Sequence, residues 1–297
     1  MHKNSLHTNS YDFELLTKNH EALKSHVFVN DYQNQTIDFS NPEAVKALNT
    51  ALLYTHYDVK FWEFPDKNLC PPIPSRADYI HHLADLLRRS HLESDVKVLD
   101  IGVGASCIYP LLGNSIYNWS FVGSDIDEKS LQIAQKIIDK NNLENVIELR
   151  LQRDYQHILK GILNPSDKFT ASVCNPPFFK SQADALDATK TKLKGLGKKS
   201  DKVIRNFSGT PKELCYAGGE KAFLHNYLYE SSQFPKQCYW FTSLVSNVSH
   251  VRSMEASLKK LGATEFRVLD MIQGNKVSRV VAWSFLTEKE QNNWIKN

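Results

Sequence analysis

The chain has 297 residues, of which 41% are hydrophobic and 23% charged, the composition of an ordinary globular protein. This composition excludes a disordered or fibrous protein. The length is enough to bury a sizeable core in one large domain, or in a main domain with a smaller attachment. No apolar run reaches the roughly 18 residues of a membrane span, and the first ten residues lack the apolar core of a secretion signal. We therefore expect a cytoplasmic protein without membrane contacts.

Cysteine and histidine spacing argues against disulfides and metal sites. Five cysteines are scattered along the chain without any CxxC pair, and eleven histidines show no convincing ligand spacing. We expect reduced, mostly packed thiols and no metal. The cysteines are Cys70, Cys107, Cys174, Cys215 and Cys238.

The net charge of +3 is small, but it is unevenly distributed. Residues 180–212 contain nine Lys or Arg against three Asp or Glu, so this segment alone carries a surplus of six positive charges. Such a segment can follow nucleic-acid phosphates. A solvated lysine-rich loop is the plainer interpretation, and charge alone favours it.

Three prolines divide the chain near residue 70. Residues 1–70 show no sustained periodicity, and the prolines at 71, 72 and 74 interrupt any helix. We therefore predict an N-terminal extension over 1–70 and a main domain over 71–297. Ser75 and Asp78 have the spacing of a helix-capping pair, which predicts the start of an amphipathic helix that ends near Arg89.

From Val96 onwards, short apolar runs alternate with amphipathic helices, which predicts an α/β fold with a doubly wound parallel sheet. The last two apolar runs are separated only by QGNKV, which is too short for a parallel crossover and predicts an antiparallel hairpin at the sheet edge. This combination resembles the class I, Rossmann-like fold of S-adenosylmethionine (SAM) methyltransferases.

A glycine turn follows the first predicted strand, Val96 to Ile101. Asp100, Gly102 and Gly104 are the candidate cofactor-binding residues here, because glycines let the backbone approach a ligand at the carboxyl edge of the sheet. Cys107 occupies the third glycine position of a dinucleotide fingerprint, which makes a pyrophosphate site less favoured than a nucleoside. A tight turn without a ligand is the alternative.

Asp125 strengthens the interpretation of this turn as a nucleoside site. It ends the next predicted strand, 23 residues beyond Gly102, where a carboxylate can accept both hydroxyls of a ribose. Asp127 stands just before the following helix and is better explained as its cap.

The most specific motif is Asn175-Pro176-Pro177-Phe178, directly after an apolar strand. Two prolines cannot continue a central strand, so the motif leaves the sheet beside the glycine turn. The Asn175 oxygen and the Pro176 carbonyl can accept the two N–H groups of an exocyclic amine and orient its lone pair, while Phe178 can stack on a base. We name all four residues as candidate catalytic residues.

This motif specifies only a planar amino or amide nitrogen as the acceptor. Adenine N6, guanine N2 and the amide of glutamine all satisfy that description. On its own it is also compatible with a Pro-Pro turn and a packed Phe.

Further motifs carry a closer likeness: TIDF at 36–39, AVKALN at 44–49, LCPPIPSRADYIH at 69–81, DIGVGASCIYPL at 100–111, NPPFF at 175–179 and GGE at 218–220. With them, the chain resembles the bacterial 23S rRNA adenine N6-methyltransferase F (RlmF) family over about residues 11–286. It is also similar to the catalytic domain of the methyltransferase-like 16 proteins.

The resemblance implies methyl transfer from SAM to the N6 of one adenine in 23S rRNA, free or in a large-subunit precursor. By position, Gly102, Asp125 and Asn175 match cofactor contacts of the family. Arg76 matches an arginine whose guanidinium suits the methionine carboxylate of SAM. Gln156 is aligned to a further contact.

Asp154 and Tyr155 remain alternatives to Gln156. The resemblance also makes the basic segment 180–212 the loop that follows the catalytic motif. There it would bind rRNA phosphates through Lys198, Lys199, Lys202 and Arg205.

Where this sequence departs from the family's motifs, the changes affect residues expected to contact the RNA more than those expected to bind the cofactor. The usual basic N-terminal run is replaced by Leu6 to Ser10, so an RNA contact by the extension is less well supported. Two other functions remain open: a protein glutamine N5-methyltransferase, and a non-catalytic RNA-binding module on the same fold.

Overall fold

The computed structural model describes residues 1–181, 183–185, 209–273 and 276–296. The N-terminal part contains two helices, a 3-10 helix and a two-stranded antiparallel hairpin: α1 (Phe13–Asn19), the 3-10 helix (Glu21–His26), β1 (Val27–Val29), β2 (Gln35–Ile37) and α2 (Pro42–His56). Asn41 caps α2 by accepting the backbone N–H of Glu43 at 2.9 Å.

Helix α3 (Ile73–Arg89) ends where the sequence predicts but begins earlier. Pro72 occupies the N-cap position, and neither Ser75 nor Asp78 caps the helix, so the predicted capping pair is wrong. Prolines suit the first turn, where the backbone N–H has no partner in the helix. Asp78 lies buried inside the helix and accepts the backbone N–H of His2 at 2.5 Å.

A seven-stranded sheet forms the centre of the molecule, in the order β5-β4-β3-β6-β7-β9-β8. Its strands are β3 (Lys97–Ile101), β4 (Ser120–Asp125), β5 (Ile147–Leu151), β6 (Phe169–Cys174), β7 (Cys238–Val245), β8 (Glu265–Gln273) and β9 (Lys276–Ser284). The helices that follow α3 are α4 (Ile108–Tyr117), α5 (Glu128–Lys140), α6 (Pro211–Leu214), α7 (Gly219–Gln233), α8 (Val248–Leu261) and α9 (Glu288–Lys296).

Strands β3 to β7 pair in parallel, while β9 is inserted between β7 and β8 and runs antiparallel to both. The doubly wound parallel sheet and the antiparallel edge hairpin are therefore confirmed.

Two apolar cores cover the two faces of the sheet. Val98 belongs to one core and Leu99 to the other, because successive strand residues face opposite sides. The first core contains residues of α1 to α5, and the second contains α7 and α8. Trp62, in the connection between α2 and α3, donates its indole N–H to the Ser106 carbonyl at 2.8 Å and so joins the N-terminal part to the glycine turn. The division at residue 70 stays a prediction.

Candidate active site

Strand register brings the three sequence motifs together at one edge of the sheet. Ile101, the last residue of β3, pairs with Ser124 of β4 on one side and with Cys174 of β6 on the other. The three strands are parallel, so the residues that follow them emerge at the same edge. The glycine turn, Asp125 and Asn175 therefore lie side by side.

The glycine turn has a backbone conformation that favours glycine. Gly102 and Gly104 have φ angles of +76° and +63°. The N–H groups of Gly102 and Val103 both donate to the Ser124 carbonyl, at 2.9 and 3.0 Å. An added Cβ at Gly102 would meet no atom within 4 Å, so the turn faces open space.

Asp125 is a buried carboxylate, 9% exposed, that links this turn to the next helix. One oxygen accepts the backbone N–H of Gly104 at 2.9 Å, and the other accepts that of Asp127 at 2.8 Å. Burial raises the pKa of Asp125 to about 6, although the two amide hydrogen bonds favour its ionised form. Asp127 is the N-cap residue of α5, as predicted.

Asn175 has an unusual environment for an amide side chain. Its oxygen Oδ1 is buried and has no hydrogen-bond partner among the described residues. Pro176 is buried, Pro177 is half-buried, and Phe178 is 38% exposed beside them. The tetrapeptide thus combines an unpartnered acceptor with an aromatic ring at the surface.

A cavity of about 1050 Å³, counted with its open mouth, lies at this edge of the sheet. It brings together five of the predicted residues as lining residues, together with Pro177 of the catalytic motif: Arg76, Gly102, Gly104, Asp125 and Asn175. Arg76 reaches the cavity from the first turn of α3, and its guanidinium carbon lies 5.8 Å from the centre of the Tyr109 ring.

Other predicted residues lie near the cavity without appearing in its described lining: Asp100, Gln156, Pro176 and Phe178. Both carboxylate oxygens of Asp100 are buried and without a partner among the described residues. Burial and, next, the charge of Asp125 raise the pKa of Asp100 well above its usual value, while Arg76 opposes the shift. Gln156 and its two alternatives, Asp154 and Tyr155, are all exposed, and of the three only Tyr155 appears in the described lining of the cavity.

The predicted RNA-binding residues Lys198, Lys199, Lys202 and Arg205 lie outside the described residues. The residues on either side of the segment 180–212 are described, and they pair with each other beside the cavity. Phe179 donates its N–H to the Leu214 carbonyl at 3.0 Å and accepts the N–H of Tyr216 at 3.0 Å. Lys212 forms a 2.9 Å ion pair with Asp127.

Sequence reasoning missed Glu213, which lines the cavity next to the glycine turn, with Oε1 3.9 Å from the position that a Cβ would take at Gly104. Its carboxylate accepts the N–H groups of Thr210, at 2.6 Å, and of Leu69, at 3.3 Å. The pattern Thr210-x-x-Glu213 is a capping box, so a sequence signal for the short helix α6 existed. Its contact with Leu69, 144 positions away, left no such signal.

Tyr155 belongs to a wall of the cavity whose other members, Gln152, His157 and Ile158, were also missed. Glu230 of α7 holds this wall. Its buried carboxylate accepts three consecutive backbone N–H groups, those of Ile158 at 3.0 Å, Leu159 at 2.7 Å and Lys160 at 3.0 Å. Three aligned donors on one carboxylate make a rigid connection.

The residues at the cavity fit SAM, the donor that the resemblance implies. Asp125 has acceptor sites left for hydroxyl groups, since a carboxylate offers about four. Tyr109 and Asn175 in the lining, and Asp100 near it, have buried polar atoms without partners among the described residues. Buried polar groups are normally hydrogen-bonded, so these atoms indicate a polar ligand. Within the described ranges, no group of three or more His, Cys, Asp or Glu side chains could hold a metal ion.

Comparison with known proteins agrees with this geometry. An RNA methyltransferase family model matches residues 1–287. The ribosomal RNA large subunit methyltransferase F of Flavobacterium psychrophilum is 47% identical over 99% of this chain and 96% of its own length. The protein of the same name from Bacteroides thetaiotaomicron is 44% identical over 96% of this chain and 98% of its own length.

Solved structures give the same result. The hMettl16 catalytic domain in complex with the MAT2A 3′UTR hairpin 6 superposes with a TM-score of 0.82 at 27% identity and covers 97% of this chain and 98% of its own. The N-terminal domain of human METTL16 in complex with SAH superposes with a TM-score of 0.76 at 26% identity, and it covers 97% of this chain and 99% of its own. This chain therefore belongs to the RNA methyltransferase family, as its sequence motifs predicted.

Proposed function

We propose that this protein transfers a methyl group from SAM to the N6 of an adenine in 23S rRNA. The observation that carries the proposal is the position of Asn175: its buried, unpartnered amide oxygen lies at the same sheet edge as Asp125 and the glycine turn. An acceptor without a partner, next to a nucleoside-type site, suits an amino group that enters from a substrate.

In this proposal, three residues of the cavity bind the methyl donor. Asp125 accepts the ribose hydroxyls, while Gly102 leaves room for the ligand against the backbone. Arg76, a buried cation in the cavity wall, pairs with the methionine carboxylate. SAM bound there supplies a methyl group on a positively charged sulfur.

At the acceptor site, the residues of the NPPF motif bind and orient the adenine. Asn175 Oδ1 and the Pro176 carbonyl accept the two N–H bonds of the amine, which localises its lone pair and fixes its direction. Phe178, partly exposed beside them, stacks on the base. No strong general base is needed, because the proton can leave the nitrogen after the methyl group has been transferred.

The names of the relatives support ribosomal RNA as the substrate class, since the matched proteins are named large subunit methyltransferases F. Phe179 and Tyr216, which lie on either side of the basic segment 180–212, are hydrogen-bonded to each other, and Tyr216 lines the cavity. Phosphates bound by that segment would therefore lie near the target base. A binding partner of this kind is 23S rRNA itself or a large-subunit precursor.

We also infer that residues 1–70 contact the RNA and that the enzyme acts in the cytoplasm. Three aromatic side chains of the N-terminal part are exposed and available to stack on unpaired bases: Phe28, Tyr32 and Phe39. Unpaired thiols at all five cysteines agree with a reducing compartment. In the described part of the chain, no helix has both the length and the apolarity needed to cross a membrane.

The decisive experiment incubates the purified protein with SAM and 23S rRNA that lacks the modification. Nuclease digestion and mass spectrometry should then detect N6-methyladenosine, and Asn175→Ala serves as the inactive control. Protein-free rRNA and assembly intermediates are tested in parallel. If neither yields N6-methyladenosine with the wild-type protein, the proposed substrate is wrong.

A further inference from the structure

Tyr109 is a buried tyrosine whose hydroxyl has no assigned role. It lies in the first turn of α4, is 4% exposed, and its side chain contributes to the cavity lining. Its hydroxyl oxygen is buried and has no hydrogen-bond partner among the described residues. Leaving a buried hydroxyl unpaired costs free energy, so such a group requires an explanation.

Other buried tyrosines of this protein show the usual solution. The hydroxyl of Tyr79 bonds with Thr242 Oγ1 at 2.6 Å, and that of Tyr227 bonds with Ser172 Oγ at 2.6 Å. Neither residue appears in the described lining of the cavity. Tyr109 differs from both, because it lines the cavity and has no such protein partner.

The charges around Tyr109 indicate what its partner is. Arg76 holds its guanidinium 5.8 Å from the Tyr109 ring centre, and the Asp100 carboxyl also acts on the hydroxyl. Burial raises the pKa of this hydroxyl, Arg76 opposes the shift, and Asp100 adds to it. The hydroxyl therefore keeps its proton at working pH and is available as a donor. A hydroxyl that keeps its proton can donate to an acceptor on a ligand, and the adjacent Arg76 cation favours an anionic acceptor.

We propose that the Tyr109 hydroxyl, beside Arg76, binds the carboxylate at the methionine end of SAM. This inference rests on the proposed function, because it takes SAM as the donor. Arg76 supplies the charge and Tyr109 supplies one directed hydrogen bond, so the two side chains together fix the amino-acid end of the ligand. Tyr109 is then a residue that binds the methyl donor, SAM.

The test measures the affinity of Tyr109→Phe for two stable ligands by calorimetry. S-adenosylhomocysteine (SAH) carries the amino-acid end, whereas 5′-methylthioadenosine lacks it. We expect SAH to bind about tenfold more weakly than to the wild type, the effect of one hydrogen bond to a charged group. Binding of 5′-methylthioadenosine should stay within twofold of the wild type.

Thermal unfolding without ligand gives a second readout. Removing an unpartnered hydroxyl should leave the melting temperature of Tyr109→Phe unchanged or higher. The matched control Tyr227→Phe removes a bonded hydroxyl outside the cavity lining, so it should lower the melting temperature and keep SAH affinity.

Unchanged SAH affinity in Tyr109→Phe would overturn the proposal, and so would an equal loss for both ligands, which would assign the effect to the ring. If the wild-type protein itself binds no SAH, the donor site and the proposed function fail with it. That result is distinct from a wild type that binds SAH and a variant that binds it equally well.

Discussion

Asp125 accepts the backbone N–H of Gly104 at 2.9 Å, so the acid that ends β4 directly fixes the glycine turn that follows β3. The same carboxylate accepts the N–H of Asp127 at the start of α5. One side chain thus shapes two loops of the proposed donor site and keeps acceptor sites that a ligand could use. The spacing between Gly102 and Asp125 in the sequence indicates only that Asp125 could bind a ligand, and not that it shapes the two loops.

This arrangement predicts a pH dependence of donor binding. Burial raises the pKa of Asp125 to about 6, so the residue becomes protonated as the pH falls through 6. A protonated carboxyl is a weaker acceptor for ribose hydroxyls than the ionised form. We expect the SAH dissociation constant, measured by calorimetry, to be about tenfold higher at pH 5 than at pH 7.5.

The control for this titration is Asp125→Asn, which keeps an acceptor oxygen but has no proton to gain. It should bind SAH more weakly at pH 7.5 and should show little further change down to pH 5. A variant that retains the full pH dependence would assign the titration to another group, such as Asp100.

Asn175 provides the sharpest test of the chemistry. Asn175→Ala removes the oriented acceptor for the adenine amine but leaves the glycine turn, Arg76 and Asp125 in place. We expect kcat to fall by about two to three powers of ten, as for other oriented catalytic hydrogen-bonding groups. SAH affinity should stay near that of the wild type. An unchanged rate constant for methyl transfer in a single-turnover assay would mean that the amine is held elsewhere.

Glu230 predicts a mutational effect that no motif reveals. In Glu230→Gln an uncharged amide replaces the carboxylate that accepts three backbone N–H groups at residues 158–160. We expect the free energy of unfolding to fall by about 1–3 kcal/mol. We also expect SAH affinity to fall severalfold, because Ile158 and its neighbours line the cavity.

A matched variant separates the two effects. Asp167 is a similarly buried carboxylate that accepts the N–H of Asn164 at 2.8 Å and pairs with Arg150 at 2.5 Å, and it does not appear in the described cavity lining. Asp167→Asn should therefore lose stability in denaturant titrations and keep SAH affinity. If Glu230→Gln behaves in the same way, the wall does not depend on Glu230.

The sequence allowed candidate site residues to be placed wherever they directly follow or end a strand. Gly102, Asp125 and Asn175 could be placed together because parallel strands deliver their next residues to one edge. The start of α3 was predicted wrongly from Ser75 and Asp78, because a proline-rich first turn forms the helix end without a side-chain cap. Glu213 and Glu230 depend on contacts across 70 positions or more, for which local patterns carry no signal.

The basic segment 180–212 yields a prediction about salt. Replacing Lys198, Lys199 and Lys202 with Gln should weaken binding to an rRNA fragment that contains the target adenine. Each lost phosphate contact should also reduce the slope of log affinity against log salt by about 0.7 to 0.9, or by about 2 to 3 for all three. Filter binding between low and moderate salt measures this slope. The control replaces the exposed Lys259, Lys260 and Lys289 with Gln, which changes the net charge equally. Equal slopes in the two triple variants would show that the segment is a solvated loop, whereas a loss confined to the first would show that it contacts phosphates.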